Sequence, residues 1–121
     1  MSGYYTEKLA AERLRACYDL APASVRAYLE SEISFVIERV SPATAVLELG
    51  CGYGRVLQRL ISHVRSAVGI DTSLQSLQMA RGFVAGGRPP RLLAMDATRM
   101  AFVERTFDVH LHPEWHLRFR R

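Results

Sequence analysis

The sequence predicts an α/β fold with a mostly parallel sheet, chiefly because three short apolar segments each end in an acidic residue. The segments are 45–48, 67–71 and 91–96, and their acidic ends are Glu48, Asp71 and Asp96. Each segment is too short for a buried helix and is rich in aliphatic residues, as strands covered on both faces are. The intervening stretches are long enough for helical crossovers, so the strands run parallel and their carboxyl ends meet at one edge.

The first predicted strand runs directly into a turn that has glycine at every second position. Gly50, Gly52 and Gly54 alternate with Cys51 and Tyr53. Glycine tolerates positive φ angles and lets a ligand approach the backbone N–H groups closely. The turn therefore predicts a nucleoside ligand at the carboxyl edge of the sheet, where open parallel sheets bind their ligands.

Apolar periodicity and helix-breaking residues predict the remaining elements. Two helices precede the first strand, parted by Ala21 and Pro22, and their apolar residues recur at steps of three and four. Crossover helices are predicted over 53–63 and 73–84, and a fourth strand begins within 106–109.

Three carboxylates at one sheet edge restrict the ligand. They repel a pyrophosphate but accept hydrogen bonds from ribose hydroxyls and exocyclic amines. Asp71 lies 21 residues after Gly50, about the separation expected for an acid that binds ribose from the second strand. The third glycine of the dinucleotide pattern would fall at Arg55, whereas this chain places it at Gly54, which also disfavours a dinucleotide.

Each of the three acids also has a purely structural explanation. Glu48 could be the anionic partner of a helix N-terminus, and Asp71 could cap the helix that begins near Ser73. Asp96 could be an ordinary turn residue.

Four segments in order, 48–54, 69–71, 95–97 and 107–109, resemble the successive motifs of class I S-adenosylmethionine-dependent methyltransferases. The resemblance covers about 43–109. It implies a Rossmann-like three-layer sandwich with a mostly parallel sheet, preceded by two N-terminal helices. A complete domain of that family has seven strands, of which this chain is expected to hold about four.

The resemblance also implies S-adenosylmethionine as the cofactor and transfer of its methyl group to an N, O, S or C nucleophile. The glycine turn with Glu48 would hold the methionine part, Asp71 the ribose hydroxyls, and Asp96 with Ala97 the adenine. The cofactor-binding residues implied are Glu48, Gly50, Cys51, Gly52, Gly54, Asp71, Thr72, Asp96 and Ala97. The sequence identifies neither the methyl acceptor nor a general base, so no catalytic residue is assigned.

We expect a single partial domain over 1–121, with N-terminal helices in 1–40, the cofactor-binding half in 43–109 and an atypical tail in 110–121. The tail contains Pro113 and three histidines, which do not suit a central strand. A truncated or frame-shifted chain would explain it, because one shifted reading frame can encode an apolar strand there. Such a chain is expected to bind the cofactor weakly and to turn over little.

The tail has further interpretations. The three histidines, His110, His112 and His116, could ligate a metal, although no metal site is predicted. Its arginines and aromatic residues could contact nucleic acid, but the arginines of the chain are dispersed and we do not expect such a partner. A solvated, disordered end is favoured.

The composition is that of one soluble globular domain, with 121 residues, 49% of them hydrophobic, and a net charge of +4. No apolar run approaches the ~18 residues that a bilayer requires, so no membrane association is expected and a cytoplasmic location follows by default. The two cysteines, Cys17 and Cys51, indicate neither a disulfide framework nor a metal knuckle.

Two alternatives of other classes remain at this point. The first is half of a nucleotide-dependent oxidoreductase with the same type of sheet. The second is a non-catalytic interaction module that self-associates through an exposed fourth strand, since an unpaired edge is available for pairing.

Overall fold

The structure is a computed structural model that describes residues 12–82, 89–96, 98 and 106–111, and the backbone of 117–119. Its strands are β1 (Ala45–Leu49), β2 (Ser66–Asp71), β3 (Arg91–Ala94), β4 (Val109–Leu111) and β5 (Leu117–Phe119). Its helices are α1, which covers 12–19 of the described residues, α2 (Ala23–Ile37), α3 (Leu57–Leu60) and α4 (Leu74–Arg81).

The strands form one sheet in the order β3-β2-β1-β4-β5. β1 pairs in parallel with β2 and β4, and β2 pairs in parallel with β3. Only the β4–β5 pair of the described sheet is antiparallel. The predicted α/β fold with a mostly parallel sheet is therefore confirmed.

β1 lies at the centre of the sheet, and all five of its residues are buried. At its amino end, the N–H of Ala45 donates to Oδ2 of Asp108 at 2.8 Å, and the N–H of Asp108 donates to the carbonyl oxygen of Ala45 at 2.8 Å. This pair of hydrogen bonds closes the start of the β1–β4 ladder. It holds β1 in the register that brings its carboxyl end to the glycine turn.

The core has a cluster on each face of the sheet. One cluster contains the helical residues Ile33, Val36, Leu57, Leu60 and Leu77 together with strand residues. The other is formed by Ala45, Leu47, Leu49, Val68, Ile70 and Phe107, with Met95 against it. The core residues of the crossover helices α3 and α4 thus pack on one face, as right-handed crossovers between neighbouring parallel strands require. The core residues of α2 pack on the same face. The described residues contain no helix long and apolar enough to cross a membrane.

The first crossover helix is shorter than the predicted span 53–63. α3 covers four residues, and turns precede and follow it. The glycine turn occupies the chain through Gly54, whose carbonyl oxygen accepts the first helical hydrogen bond, from Gln58. At the far end, the N–H of His63 donates to Leu60, a bond three residues back that tightens the last turn. The second crossover helix begins as predicted, with Ser73 as its N-cap, and its last two predicted residues lie outside the described ranges.

The apolar stripe predicted for α2 is only partly correct. Ile33 and Val36 are buried, but Val25 is 44% exposed. In α1, Leu14, one of the apolar residues at helical spacing in the first predicted helix, is 41% exposed. The part of that predicted helix before position 12 lies outside the described ranges. The amino-terminal half of α2 therefore projects beyond the sheet, and only its carboxyl-terminal half packs on it.

The prediction that strand structure is lost after Val109 was wrong. β4 includes His110 and Leu111, and its burial alternates because Val109 and Leu111 face the core while His110 contacts the edge of the Phe107 ring. Within the expected disordered end, the described residues 117–119 form β5, which pairs with β4, and the remaining tail residues after Leu111 lie outside the described ranges. The fourth strand is consequently not the exposed edge on which the predicted self-association rested.

Gly69 is the tightest packing position on β2. A Cβ atom there would collide with Cδ1 of Leu57 and would lie 2.7 Å from Sγ and 2.9 Å from Cβ of Cys51. We expect Gly69→Ala to lower the free energy of unfolding by about 1–3 kcal/mol, as overpacking of a filled core does. Urea denaturation measures this change.

Gly82→Ala is the matched control, because Gly82 has a φ of −73° that alanine adopts readily. Among the described residues, its added Cβ would meet the Met79 carbonyl oxygen alone, at 3.3 Å. Its effect should stay within about 0.5 kcal/mol. Equal effects of the two substitutions would contradict close packing of Gly69 against Leu57 and Cys51.

Candidate functional site

The glycine turn after β1 adopts a conformation that favours glycine at all three positions. The φ angles are 69° at Gly50, 56° at Gly52 and 84° at Gly54. The N–H groups of Gly50 and Cys51 both donate to the carbonyl oxygen of Ile70, at 2.9 and 3.0 Å, and Gly54 donates to Cys51 at 3.0 Å. The turn is therefore anchored to the end of β2, and these N–H groups are used within the protein.

Asp71 ends β2 and holds the glycine turn. Its Oδ2 accepts a hydrogen bond from the N–H of Gly52 at 2.8 Å, and its Oδ1 accepts one from the N–H of Ser73 at 2.8 Å. The capping role that the sequence left open for Asp71 belongs to Ser73, whose hydroxyl accepts from the N–H of Ser76 at 3.2 Å. A carboxylate has about four acceptor sites, so Asp71 retains capacity for a ligand.

The N–H of Gly52 thus joins those of Gly50, Cys51 and Gly54 in bonds within the protein. The sequence predicted that the turn would offer N–H groups to a ligand, and the structure shows these four already used. What the site presents is acceptors, chiefly carboxyl oxygens. Such a surface suits hydroxyls, amines and cations, and not phosphate.

Glu48 is the most strongly perturbed acid of the site. It lies within β1 and is only 7% exposed. Burial raises its pKa to about 8, the positive charge of Arg55 opposes this rise, and the negative charge of Asp71 adds to it. No hydrogen bond to its carboxyl group comes from any residue within the described ranges. A buried carboxyl group of this kind is best satisfied by a donor or cation entering the cavity beside it.

A cavity of about 130 Å³ lies between the glycine turn and α1. Sites for whole small-molecule cofactors span roughly 300–1,000 Å³, so in this conformation the cavity accommodates only a fragment of one. Asp71 and Thr72 lie outside it. Its lining residues are Leu14, Tyr18, Glu48, Leu49, Gly50, Cys51, Gly52, Tyr53, Arg55 and Val56.

α1 covers the glycine turn. Cδ2 of Leu14 lies 3.8 Å from the position that a Cβ atom on Gly52 would occupy. The rings of Tyr18 and Tyr53 are 6.1 Å apart and tilted by 57°, and the Arg55 guanidinium carbon lies 4.5 Å from the centre of the Tyr18 ring. None of Tyr18, Tyr53 and Arg55 was among the cofactor-binding residues predicted from the sequence. The position of Tyr53 between two turn glycines was the available signal.

Asp96 follows β3 at the same edge of the sheet as Asp71. The backbone keeps the two strand ends together, because the N–H of Met95 donates to the carbonyl oxygen of Asp71 at 3.1 Å. Oδ1 of Asp96 accepts from the N–H and the hydroxyl of Thr98, both at 2.8 Å, and these bonds lower its pKa. The side chain is exposed, and its hydrogen bonds to Thr98 stabilise a turn. These contacts match the interpretation of Asp96 as an ordinary turn residue. Ala97 lies outside the described residues.

Cys51 is buried against β2, and burial raises the pKa of its thiol to about 12. The thiol is therefore neutral and unsuited to nucleophilic work. The described ranges contain no group of three His, Cys, Asp or Glu side chains arranged for a metal ion. Of the tail histidines, only His110 is described, and His112 and His116 lie outside.

The family described as "Methyltransferase domain" matches residues 46–119, which is more than half of the chain and includes β5. No curated protein matches the sequence significantly.

Three bacterial proteins are among the solved structures that have a similar fold. A TehB-like SAM-dependent methyltransferase from Corynebacterium glutamicum is 17% identical, with a TM-score of 0.69 over 89% of this chain and 54% of that one. A S-adenosylmethionine-dependent methyltransferase from Clostridium acetobutylicum is 23% identical, with a TM-score of 0.64 over 85% and 43%. The YcgJ protein from Bacillus subtilis is 20% identical, with a TM-score of 0.64 over 69% and 37%.

This chain therefore spans about half of those proteins or less, and at these identities the likeness establishes the fold. Together with the match over 46–119, it shows that the chain belongs to the methyltransferase-domain family and has the α/β fold of the class I S-adenosylmethionine-dependent methyltransferases.

Proposed function

We propose that this chain binds S-adenosylmethionine at the glycine turn and serves the transfer of its methyl group to a nucleophilic acceptor. The observation that carries the proposal is the buried carboxyl group of Glu48, which faces a cavity and receives no hydrogen bond from the described residues. An ammonium group entering the cavity would satisfy it. The family match supports this choice of cofactor over the nicotinamide cofactor of the oxidoreductase alternative.

The donors and acceptors of the site fit the parts of this cofactor. Glu48 would hold the amino group of the methionine part, and the acceptor sites left on Asp71 would take the ribose hydroxyls. The resemblance adds Thr72 as a further cofactor-binding residue and Asp96 with Ala97 beside the adenine. The cofactor is cationic and rich in hydroxyl and amino donors, as an edge of carboxyl groups requires.

S-adenosylmethionine supplies an electrophilic methyl group whose departure leaves a neutral thioether. The chain's own contribution is therefore to position and to exclude water, since in-line alignment carries most of the acceleration in such a displacement. The glycine turn and Asp71 set the position, and α1 with Leu14 and Tyr18 covers the cavity. No described residue is assigned as a general base, which is needed only when the acceptor must lose a proton.

The cavity must widen for the whole cofactor, because about 130 Å³ holds only the amino-acid end. α1 and the glycine turn make up its walls. We infer that a displacement of α1 admits the cofactor. The interactions to be broken are the Tyr18–Tyr53 ring contact and the placement of Arg55 over Tyr18.

Asp71→Asn tests the proposed ribose contact. The substitution removes the carboxylate charge and one acceptor, so we expect the affinity for S-adenosylhomocysteine to fall on the order of tenfold. Calorimetric titration of the full chain measures this. Asp108→Asn is the matched control, since Asp108 also accepts a backbone hydrogen bond at 2.8 Å but at the opposite end of β1. Equal losses in the two variants would assign the effect to the fold and contradict the contact.

Glu48 should make cofactor binding depend on pH. Below its pKa of about 8 the carboxyl group is protonated, and it must release that proton to accept a bond from an ammonium group. The affinity for S-adenosylhomocysteine should therefore rise with pH between about pH 6 and about pH 7.5, by up to about tenfold per pH unit. Calorimetry in two buffers of different ionisation enthalpy should show one proton released.

Glu48→Gln supplies the comparison, because its amide cannot ionise. Its affinity should be lower at the upper end of this range and nearly independent of pH. A wild-type affinity that does not change with pH, or a Glu48→Gln variant that keeps the same slope, would remove Glu48 from the ammonium site.

A further inference from the structure

A second concavity, of about 510 Å³, lies beside the cofactor cavity, between α1, α2 and the segment that leads into α3. Its volume falls within the range of small-molecule sites, roughly 300–1,000 Å³. None of the residues predicted to bind the cofactor lines it. We call it the basic groove, and its lining residues are Arg15, Tyr18, Asp19, Arg26, Leu29, Glu30, Ile33, Tyr53, Arg55, Gln58 and Arg59.

The basic groove carries four arginines against two carboxylates. Arg59 is committed to Glu30, because its Nη1 lies 2.8 Å from both carboxylate oxygens, and this pair ties α3 to α2. Arg15 is held more loosely by Asp19, with Nε 3.6 Å from Oδ2. Arginines therefore outnumber carboxylates by two among the described residues that line the groove, which favours an anionic ligand.

Arg26 lies in the first turn of α2, one helical turn before Glu30. Within the described part of the chain it forms no ion pair, and its exposed side chain lines the groove. An arginine in this setting offers a planar fork of donors suited to a carboxylate or a phosphate group.

The floor of the groove is apolar. Ile33 is 1% exposed and Tyr53 is 5% exposed, and Leu29 lies half-buried beside them. A concave apolar floor with a few convergent charged groups is the usual form of a small-ligand site. It matches a molecule that has both an apolar part and an acidic group.

The groove and the cofactor cavity share Tyr18, Tyr53 and Arg55 in their linings. A molecule in the groove would therefore lie directly across the Tyr18–Tyr53 contact from the cavity. The two sites also differ in charge, since the cavity contains the buried Glu48 and the groove is rich in arginine.

We propose that the basic groove binds the methyl acceptor, and that the acceptor is a small apolar molecule bearing a carboxylate or phosphate group. The acidic group lies at Arg26, and the apolar part extends along Leu29. The end of the acceptor near Tyr18 and Tyr53 carries the N, O or S nucleophile that takes the methyl group as the thioether leaves. This assignment rests on the proposed function, because an acceptor in the groove has a methyl donor beside it only if the cofactor binds in the neighbouring cavity.

The test uses the full ¹⁵N-labelled chain saturated with S-adenosylhomocysteine, titrated with hexanoate, hexyl phosphate and the neutral hexanamide. Backbone amide shifts at Tyr18, Leu29 and Gln58 should saturate with at least one of the two acids. Hexanamide should bind about fivefold more weakly or not at all. Comparison of hexanoate with hexyl phosphate tells which acidic group is preferred, and equal binding of hexanamide would overturn the proposal.

Arg26→Gln should weaken binding of the preferred acid about fivefold. Arg39→Gln is the matched control, because it removes the same charge from the chain just after α2, where Arg39 stacks on Phe35 with its guanidinium carbon 3.3 Å from the ring centre. Arg39→Gln should leave the affinity unchanged. Equal losses in the two variants would indicate general charge attraction and overturn the proposal.

The orientation of the bound acid in the groove can be measured separately. Nuclear Overhauser effects should connect the terminal methyl group of the bound hexyl chain to the ring protons of Tyr18 or Tyr53. Contacts to the opposite end of the groove only would overturn the assignment as an acceptor site.

Failure of this inference is distinguishable from failure of the proposed function. A chain that binds S-adenosylhomocysteine but none of the acids retains the proposed function and loses the groove assignment. A folded chain that binds an acid but not S-adenosylhomocysteine contradicts the proposed function, and the acceptor assignment is then lost with it.

Discussion

The hydrogen bonds of the Asp71 carboxylate are the interaction on which the candidate site depends. One oxygen accepts from Gly52 in the turn after β1, and the other accepts from Ser73, the N-cap of α4. The carbonyl oxygen of the same residue accepts from Met95 at the end of β3. A turn of glycines with positive φ has no regular ladder of its own, so its shape is set by these few bonds. One residue thus joins the ends of three parallel strands.

The consequence of this arrangement is an edge that accepts hydrogen bonds. In a dinucleotide-binding turn the backbone N–H groups approach a pyrophosphate, but here four of them are used within the protein. The acceptors that remain include the carboxyl oxygens of Glu48 and Asp71, and the burial of Glu48 makes its ionised form costly unless a cation is present. The same physical arrangement therefore favours a positively charged ligand and couples its binding to the release of a proton.

The two concavities differ in their ionisable groups, since the cavity beside the glycine turn contains the buried Glu48 and the basic groove contains more arginines than carboxylates. The rings of Tyr18 and Tyr53, with Arg55 over one of them, lie between the two. An acidic acceptor in the groove and a cationic cofactor in the cavity would each be held on its own side and attracted toward the other. Alignment of the two ligands would then follow from their binding sites, as a displacement limited by orientation requires.

The sequence alone was sufficient for the order of β1, β2 and β3, the glycine turn and the family resemblance, because these features are local. A short aliphatic segment ending in an acid predicts a strand, and three alternating glycines predict an unusual turn. The predicted burial on both faces is correct for β1 and β2 but wrong for β3, three of whose four residues are exposed at the edge of the sheet. Local pattern was insufficient after Val109. His110 takes part in a strand because Val109 and Leu111 on either side pack against the core beside β1, and that partner is distant in sequence.

The candidate site likewise combines residues that could be named from the sequence with contacts that only the structure reveals. Glu48, the glycines and Asp71 could be named from the sequence, since residue type and spacing carried their chemistry. Only the tertiary structure decided that the turn N–H groups are already bonded, that Leu14 and Tyr18 of α1 cover the cavity, and that four arginines from three segments line one groove. Each of these facts depends on which distant residues meet in space, and sequence periodicity reports only which face of an element is apolar.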